Sequence, residues 1–236
     1  MIETWILFAC GIMFARLVYL PNDGALGKAV SVTVIFVQLV WIFILFEFNA
    51  ALGGLAALLI VVALAAHGLE NPARIKRGFR LLTLAAQLLP VIWMLDLLSA
   101  RGWSAKIPHD LLLASFGILV LANEANNLVR LLFYWCNLEP KLAPVAGQGN
   151  EAGRVEQKVD EDEYKAGRVI GVLERSLIFL IIYFSGDFSA VGFMLAAKGL
   201  VRIRQLRDRQ FSEYLLIGTL ASAICAVIVA LVLRPA

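Results

Sequence analysis

The chain has 236 residues, of which 61% are hydrophobic and 17% charged, with a formal net charge of +3. A soluble domain carries about 45–50% apolar and about 25% charged residues, so an ordinary soluble globular domain is excluded. The apolar surplus is gathered in long blocks, which is the pattern lipid imposes: about 20 apolar residues span the hydrocarbon core as a helix that satisfies its own backbone hydrogen bonds.

In chain order the blocks are Ile2–Leu20, Ala29–Phe48, Ala50–Leu69, Phe79–Ala100 and Leu111–Trp135. After a polar stretch, Asn137–Lys165, come Val169–Phe184, Phe188–Ile203 and Tyr214–Leu233. The fold class predicted is therefore all-α, a polytopic transmembrane helical bundle of about eight spans. Three regions follow: a five-span module at 1–136, a cytoplasmic polar linker at 137–166 and a three-span module at 167–236. Pro21, Pro72, Pro108, Pro140, Pro144 and Pro235 fall between or beyond the blocks, whereas Pro90 sits inside one, where it predicts a kink. Between the second and third blocks there is room only for a tight hairpin at Glu47–Asn49, with a re-entrant segment around Gly53 and Gly54 as the alternative. The first block begins at Ile2 without a basic segment before it, so it reads as a retained span rather than a cleaved leader.

Lys and Arg set the orientation. The gaps after spans one, three, five and seven, taken with Arg80 and Arg202 just inside the adjoining blocks, hold fourteen of them, and the opposite side holds Arg101, Lys106 and Arg234. The positive-inside rule then places the linker in the cytoplasm and both termini outside it. The linker is rich in Gly, Pro and charge; it reads as a mobile tether, or through its acidic run Asp160–Glu163 as a docking segment for a protein partner. The lipid bilayer is the certain environment of such a chain, a homo-oligomer is compatible with it, and no nucleic-acid partner is expected.

Polar groups inside the blocks are the candidates for function, because a charge near mid-bilayer costs roughly 2.5–3.5 kcal/mol on insertion scales and so calls for a partner or a water-filled cavity. Span five carries Asn123, Glu124, Asn126, Asn127 and Arg130 in otherwise apolar sequence. Asn123, Asn127 and Arg130 share a face at i, i+4, i+7, and Glu124 adjoins it. Span six has Glu174 and Arg175, span seven has Lys198 ahead of Arg202, and span one ends near Arg16. Together they predict a polar layer in the cytoplasmic third of the bilayer. In one reading Arg16 and Lys198 snorkel to the interface while Glu124 or Glu174 pairs with Arg175 as glue between helices. In the other, the layer lines a cavity open to the cytoplasm.

Chemistry-bearing motifs are scarce. Cys10, Cys136 and Cys225 lie far apart and read as small buried hydrophobes, and two histidines, His67 and His109, fall at opposite faces of the predicted topology. There is no HExxH, GxSxG or Walker A pattern, so neither a metal nor another cofactor is expected, and an intramembrane enzyme is the least favoured class.

The last third carries three longer patterns. Gly167-Arg168-Val169-Ile170-Gly171-Val172-Leu173-Glu174-Arg175 resembles GRxIGxLER, Phe193 through Arg202 resembles FxxAAKxxxR, and Glu213 through Leu220 resembles EYxLIGTL. Over roughly residues 165–233 the chain is similar to an uncharacterised family of bacterial integral membrane proteins, that of the domain of unknown function 3307. The resemblance implies a bacterial cytoplasmic membrane and raises the weight on Glu174, Arg175, Lys198, Arg202 and Glu213. It implies no activity. Two classes of function are carried forward: a transporter- or channel-like protein with a cytoplasm-facing polar cavity, and a structural or regulatory subunit of a membrane complex.

Overall fold

In a computed structural model of the chain, the residues described are 2–19, 28–69, 76–94, 98, 106–136, 161–201 and 209–234. Every regular element among them is helical: α1 (Ile2–Arg16, continued by a 3-10 turn at Leu17–Tyr19), α2 (Lys28–Leu45), α3 (Ala50–Leu69), α4 (Lys76–Met94), α5 (His109–Leu119), a π turn at Val120–Glu124, α6 (Ala125–Trp135), α7 (Glu161–Ser185), α8 (Ser189–Val201) and α9 (Arg209–Leu233). Among the described residues each apolar block holds one rod, with α5, the π turn and α6 forming a single one.

Two boundaries differ from the sequence reading. Residues 161–166, expected as linker, are the first turns of α7. The remainder of the expected linker, 137–160, lies outside the described residues. At the second boundary, Asn49 caps α3: its Oδ1 accepts from the Leu52 N–H at 2.8 Å. The helix then runs unbroken through Gly53 and Gly54, and Glu47–Asn49 forms the short connection between α2 and α3. α4 likewise stays helical through Pro90.

Contacts at the rod ends fix the up-and-down course. His109 Nδ1 lies 3.2 Å from Glu3 Oε1, and Trp5 Nε1 donates to the Leu88 carbonyl at 3.3 Å. Tyr183 donates its hydroxyl to the Asp110 carbonyl at 3.3 Å. At the end of α7, Gly186 takes φ 71° and turns the chain into α8; a Cβ there would lie 2.1 Å from Arg234 Nη1. The start of α1, the later part of α4, the start of α5 and the ends of α7 and α9 therefore share one end of the bundle.

Two described helical stretches, His109–Phe133 and Leu215–Leu233, are long and apolar enough to cross a membrane; Val30–Leu45, Ala50–Val62 and Ser189–Val201 are apolar but shorter. The outward faces are strongly apolar: Phe14, Phe36, Val61, Leu89, Phe193, Leu200 and Val232 are all exposed. An aqueous surface scatters such residues singly, whereas a lipid-facing one repeats them along every rod.

Two apolar cores flank the α5–α6 rod. One is built from α1 to α4, with Phe8, Ile12, Ile42, Phe46, Leu52, Leu55 and Val91 at its centre, and takes Leu112 from α5. The other packs Ile178, Phe179, Ile182 and Tyr183 of α7 against Ala223, Ala226 and Ala230 of α9, and takes Ala114, Leu121 and Ala125 from the shared rod. The alanine stripe on α9 lets the aromatic face of α7 approach its backbone closely. Close approach elsewhere depends on glycine. A Cβ on Gly11 would meet Trp41, whose Nε1 donates to the Leu7 carbonyl at 3.3 Å, and one on Gly117 would sit 2.3 Å from Phe179 Cζ.

Candidate functional site

The polar residues within the blocks assemble as two separate constellations. The first lies at the junction of α1, α2, α4 and the π turn. Arg16 comes in at the last residue of α1 and is 3% exposed. Its Nε donates to Glu124 Oε1 at 3.3 Å, and its Nη1 reaches Thr83 Oγ1 at 3.4 Å and Gln87 Oε1 at 3.5 Å. Gln87 in turn donates through Nε2 to Gln38 Oε1 at 3.3 Å. On the other side, Asn123 Nδ2 donates to Glu124 Oε1 at 3.0 Å and Asn127 Nδ2 to Glu124 Oε2 at 3.4 Å.

All seven side chains are buried. Among the described residues one cation faces one carboxylate, and amides occupy both carboxylate oxygens, so Glu124 is held on every side by donors. Asn123 and Glu124 close the π turn and Asn127 follows on α6, and all three are buried.

The second constellation lies between α7, α8 and α9. Lys198 Nζ donates to Glu174 Oε2, closing an ion pair between α8 and α7 in which both side chains are about one-fifth exposed. One residue further along α7, Arg175 turns inward, is 4% exposed, and donates from Nη1 to Ser222 Oγ on α9 at 3.1 Å. These groups line a small open cleft with room for about one water, together with Thr219, Met194, Leu195, Ile178 and Ala223. Glu174 and Ser222 both stand eleven residues, roughly 16 Å at the helical rise, from the ends of their helices at Ser185 and Leu233. Those ends lie side by side, so the two groups stand at a similar depth along the bundle.

Sequence reasoning grouped these residues into one layer, and the structure sorts that layer by partner. Arg16 does not snorkel to the interface; its guanidinium is drawn inward by Glu124. Lys198 pairs with Glu174, and neither carboxylate takes Arg175 as its partner in the way the glue reading proposed. Arg130 lies on α6 with its side chain outside the described residues, as is Arg202 altogether. Glu213 is exposed on α9, nine residues before Ser222, and does not line the cleft.

Five participants were missed: Gln38, Thr83, Gln87, Thr219 and Ser222. A spacing signal was present for four of them, since Thr83 and Gln87 are i, i+4 and Thr219 and Ser222 are i, i+3, each pair on one face of its helix. Gln38 stands alone in apolar sequence and shows its role only once α2 meets α4. Among the described residues, no three His, Cys, Asp or Glu side chains converge as a metal site would require. Of the cysteines, Cys10 is buried and Cys225 half-buried, while Cys136, expected to be buried, is exposed at the end of α6.

No family model matches this chain, and neither a curated relative nor a solved structure matches it.

Proposed function

We propose that the chain is a polytopic membrane protein of about eight spans that binds a small polar solute in the cleft between α7, α8 and α9, as a transporter- or channel-like protein does. The observation that carries this reading is the cleft itself: Glu174, Arg175 and Lys198 border open space deep along apolar helices. Charges kept there against the cost of desolvation call for a ligand or a water-filled path. In this reading the Arg16–Glu124 network is the scaffold that ties the first, second, fourth and fifth spans together.

The membrane setting rests on the run of apolar blocks and on the apolar outward faces of the rods. Orientation rests on the Lys and Arg asymmetry, which puts Cys136 at the cytoplasmic face and both ends of the chain outside. The similarity of residues 165–233 to a bacterial membrane family favours the bacterial cytoplasmic membrane. Orientation is tested with a membrane-impermeant maleimide: Cys136 reacts in inverted vesicles and stays protected in right-side-out ones. Activity is tested by solute flux and proton leak in proteoliposomes. Lys198→Ala and Glu174→Gln alter that flux if the cleft is the path; flux unchanged by both sinks the transport reading.

A further inference from the structure

We infer that the π turn at Val120–Glu124 is a two-register device in the rod shared by the two cores. The Arg16–Glu124 pair latches α6 in the register observed. Its release lets the turn close to an α turn, and α6 rotates by about 100°, with Asn126 taking the place of Asn127 and Leu132 that of Phe133.

Backbone geometry is the starting point. The Ala125 N–H donates to the Val120 carbonyl, five residues back, so the rod holds one residue more than a regular α-helix would. The effect of that residue is legible in two pairs that span the turn. Leu112 on α5 enters the first core, and Glu124 meets Arg16 of α1 on that same side. Leu121 enters the second core, and Phe133 lies against α9, where a Cβ on Gly218 would stand 2.8 Å from its Cζ. Each pair is twelve residues apart. At about 100° per residue, twelve steps leave two side chains about 120° out of line, whereas eleven leave them about 20° apart. Both faces of the rod therefore need the extra residue.

The sequence of α6 supplies the second register. When the turn closes, each residue of α6 moves one position along, and the residue before it fills the vacated place. Neighbours are matched for that exchange, since Asn126 precedes Asn127 and Leu132 precedes Phe133. Asn127 is buried against Glu124, whereas Asn126 is half-buried and stands outside that network among the described residues. A second amide at this point of an apolar rod is accounted for by the second register.

The ion pair is what the second register lacks. Leu121 to Ala125 are all buried, so the turn is enclosed on every side, and Glu124 is where Arg16, Asn123 and Asn127 grip it. In the second register the amide of Asn123 stands in the place of the Glu124 carboxylate. The contacts of Asn127 and Phe133 thus have substitutes and the contact of Arg16 with a carboxylate has none, which makes that pair the latch. Gly218 adjoins Thr219 of the cleft lining, so a rotation of α6 against α9 reaches the wall of the cleft.

The test uses the full chain in nanodiscs, with Cys10, Cys136 and Cys225 replaced by Ala and Gly218→Cys as the reference thiol on α9. It is combined with Phe133→Cys, or with Leu132→Cys and Phe133→Ala, and each pair is treated with a short bifunctional thiol reagent. The parent is expected to link position 133 at least about tenfold faster than position 132. Arg16→Gln with Glu124→Gln removes both charges of the pair together and is expected to reverse that preference. A preference unchanged by the double replacement overturns the inference. Deletion of Ala122 takes out the extra residue and does not depend on the double replacement folding. It is expected to keep the preference for position 133, because the turn becomes an α turn while the faces of α6 stay in place. A deletion that moves the preference to position 132 shows that the turn does not set the register, and overturns the inference as well.

Discussion

Arg16 and Arg175 are almost equally hidden, at 3% and 4% exposed, yet they sit in opposite kinds of surroundings. Arg16 faces a carboxylate whose oxygens are further held by Asn123 and Asn127, with Thr83 and Gln87 on its other side. Arg175 borders a cleft, and the neighbouring acid is engaged by Lys198. Burial alone therefore does not tell whether a charge is enclosed by its partners or borders open space. The difference lies in whether the space beside the charge is filled. One region is closed, as a brace between helices should be; the other borders an open cleft.

The comparison is broken most directly at Arg16. Replacing it by Leu leaves Glu124 buried opposite an apolar side chain, and removing one partner of a buried pair costs on the order of 3–5 kcal/mol. The double variant Arg16→Leu with Glu124→Leu regains much of that loss, because no charge is then stranded. Thermal unfolding in detergent measures both. If the double variant is as unstable as the two single losses summed, the two groups are not a pair.

Packing between the regions is probed at Gly117, which lets Phe179 lie against the shared rod. Gly117→Ala overpacks that contact and is expected to cost about 1–3 kcal/mol. Combining it with Phe179→Leu recovers part of the loss, as read by the shift in unfolding midpoint. Without recovery, the cost comes from the helix and not from the contact.

At the cleft, the prediction turns from stability to function. The Lys198–Glu174 pair is partly exposed, and breaking such a pair changes stability by about 1 kcal/mol or less. Lys198→Ala should thus unfold close to the parent while its solute flux changes. A large drop in its melting temperature would make the pair a brace like Arg16–Glu124 and erase the contrast between the regions.

The smallest effect is expected at the turn between α7 and α8. Asp187 accepts hydrogen bonds from Ser189, one from its backbone N–H at 2.8 Å, and these hold its carboxyl below the usual range. A folded value below the unfolded one means the contribution is present above the ordinary carboxylate range. It is lost as pH falls through the folded value. Melting curves of the parent and Asp187→Asn should therefore differ slightly at neutral pH and converge in acid. A constant gap across pH would mean that the carboxylate's charge plays no part.

Much of the fold was legible beforehand because long apolar blocks leave few options. A backbone in hydrocarbon must pair its own hydrogen bonds, so each long apolar block predicts a helix, and each described block holds one. The candidate residues were legible for the same reason, since a polar side chain in such a block is conspicuous. Glu124, Glu174, Arg175 and Lys198 stood out on that ground alone. What one-dimensional spacing does not contain is the lateral arrangement of helices. It cannot tell that Arg16 meets Glu124 across 108 positions of chain, or that Gln38 and Gln87 extend that network. Nor does an α-helical wheel anticipate a π turn at Val120–Glu124, which changes which faces align. The sequence by itself determined the helical class, the number of apolar blocks and the shortlist of buried polar groups, through the cost of desolvating backbone and charge. Only the tertiary structure decided which charges cancel and which border open space, because that depends on which helices touch, through glycine and alanine surfaces whose contacts no single helix records.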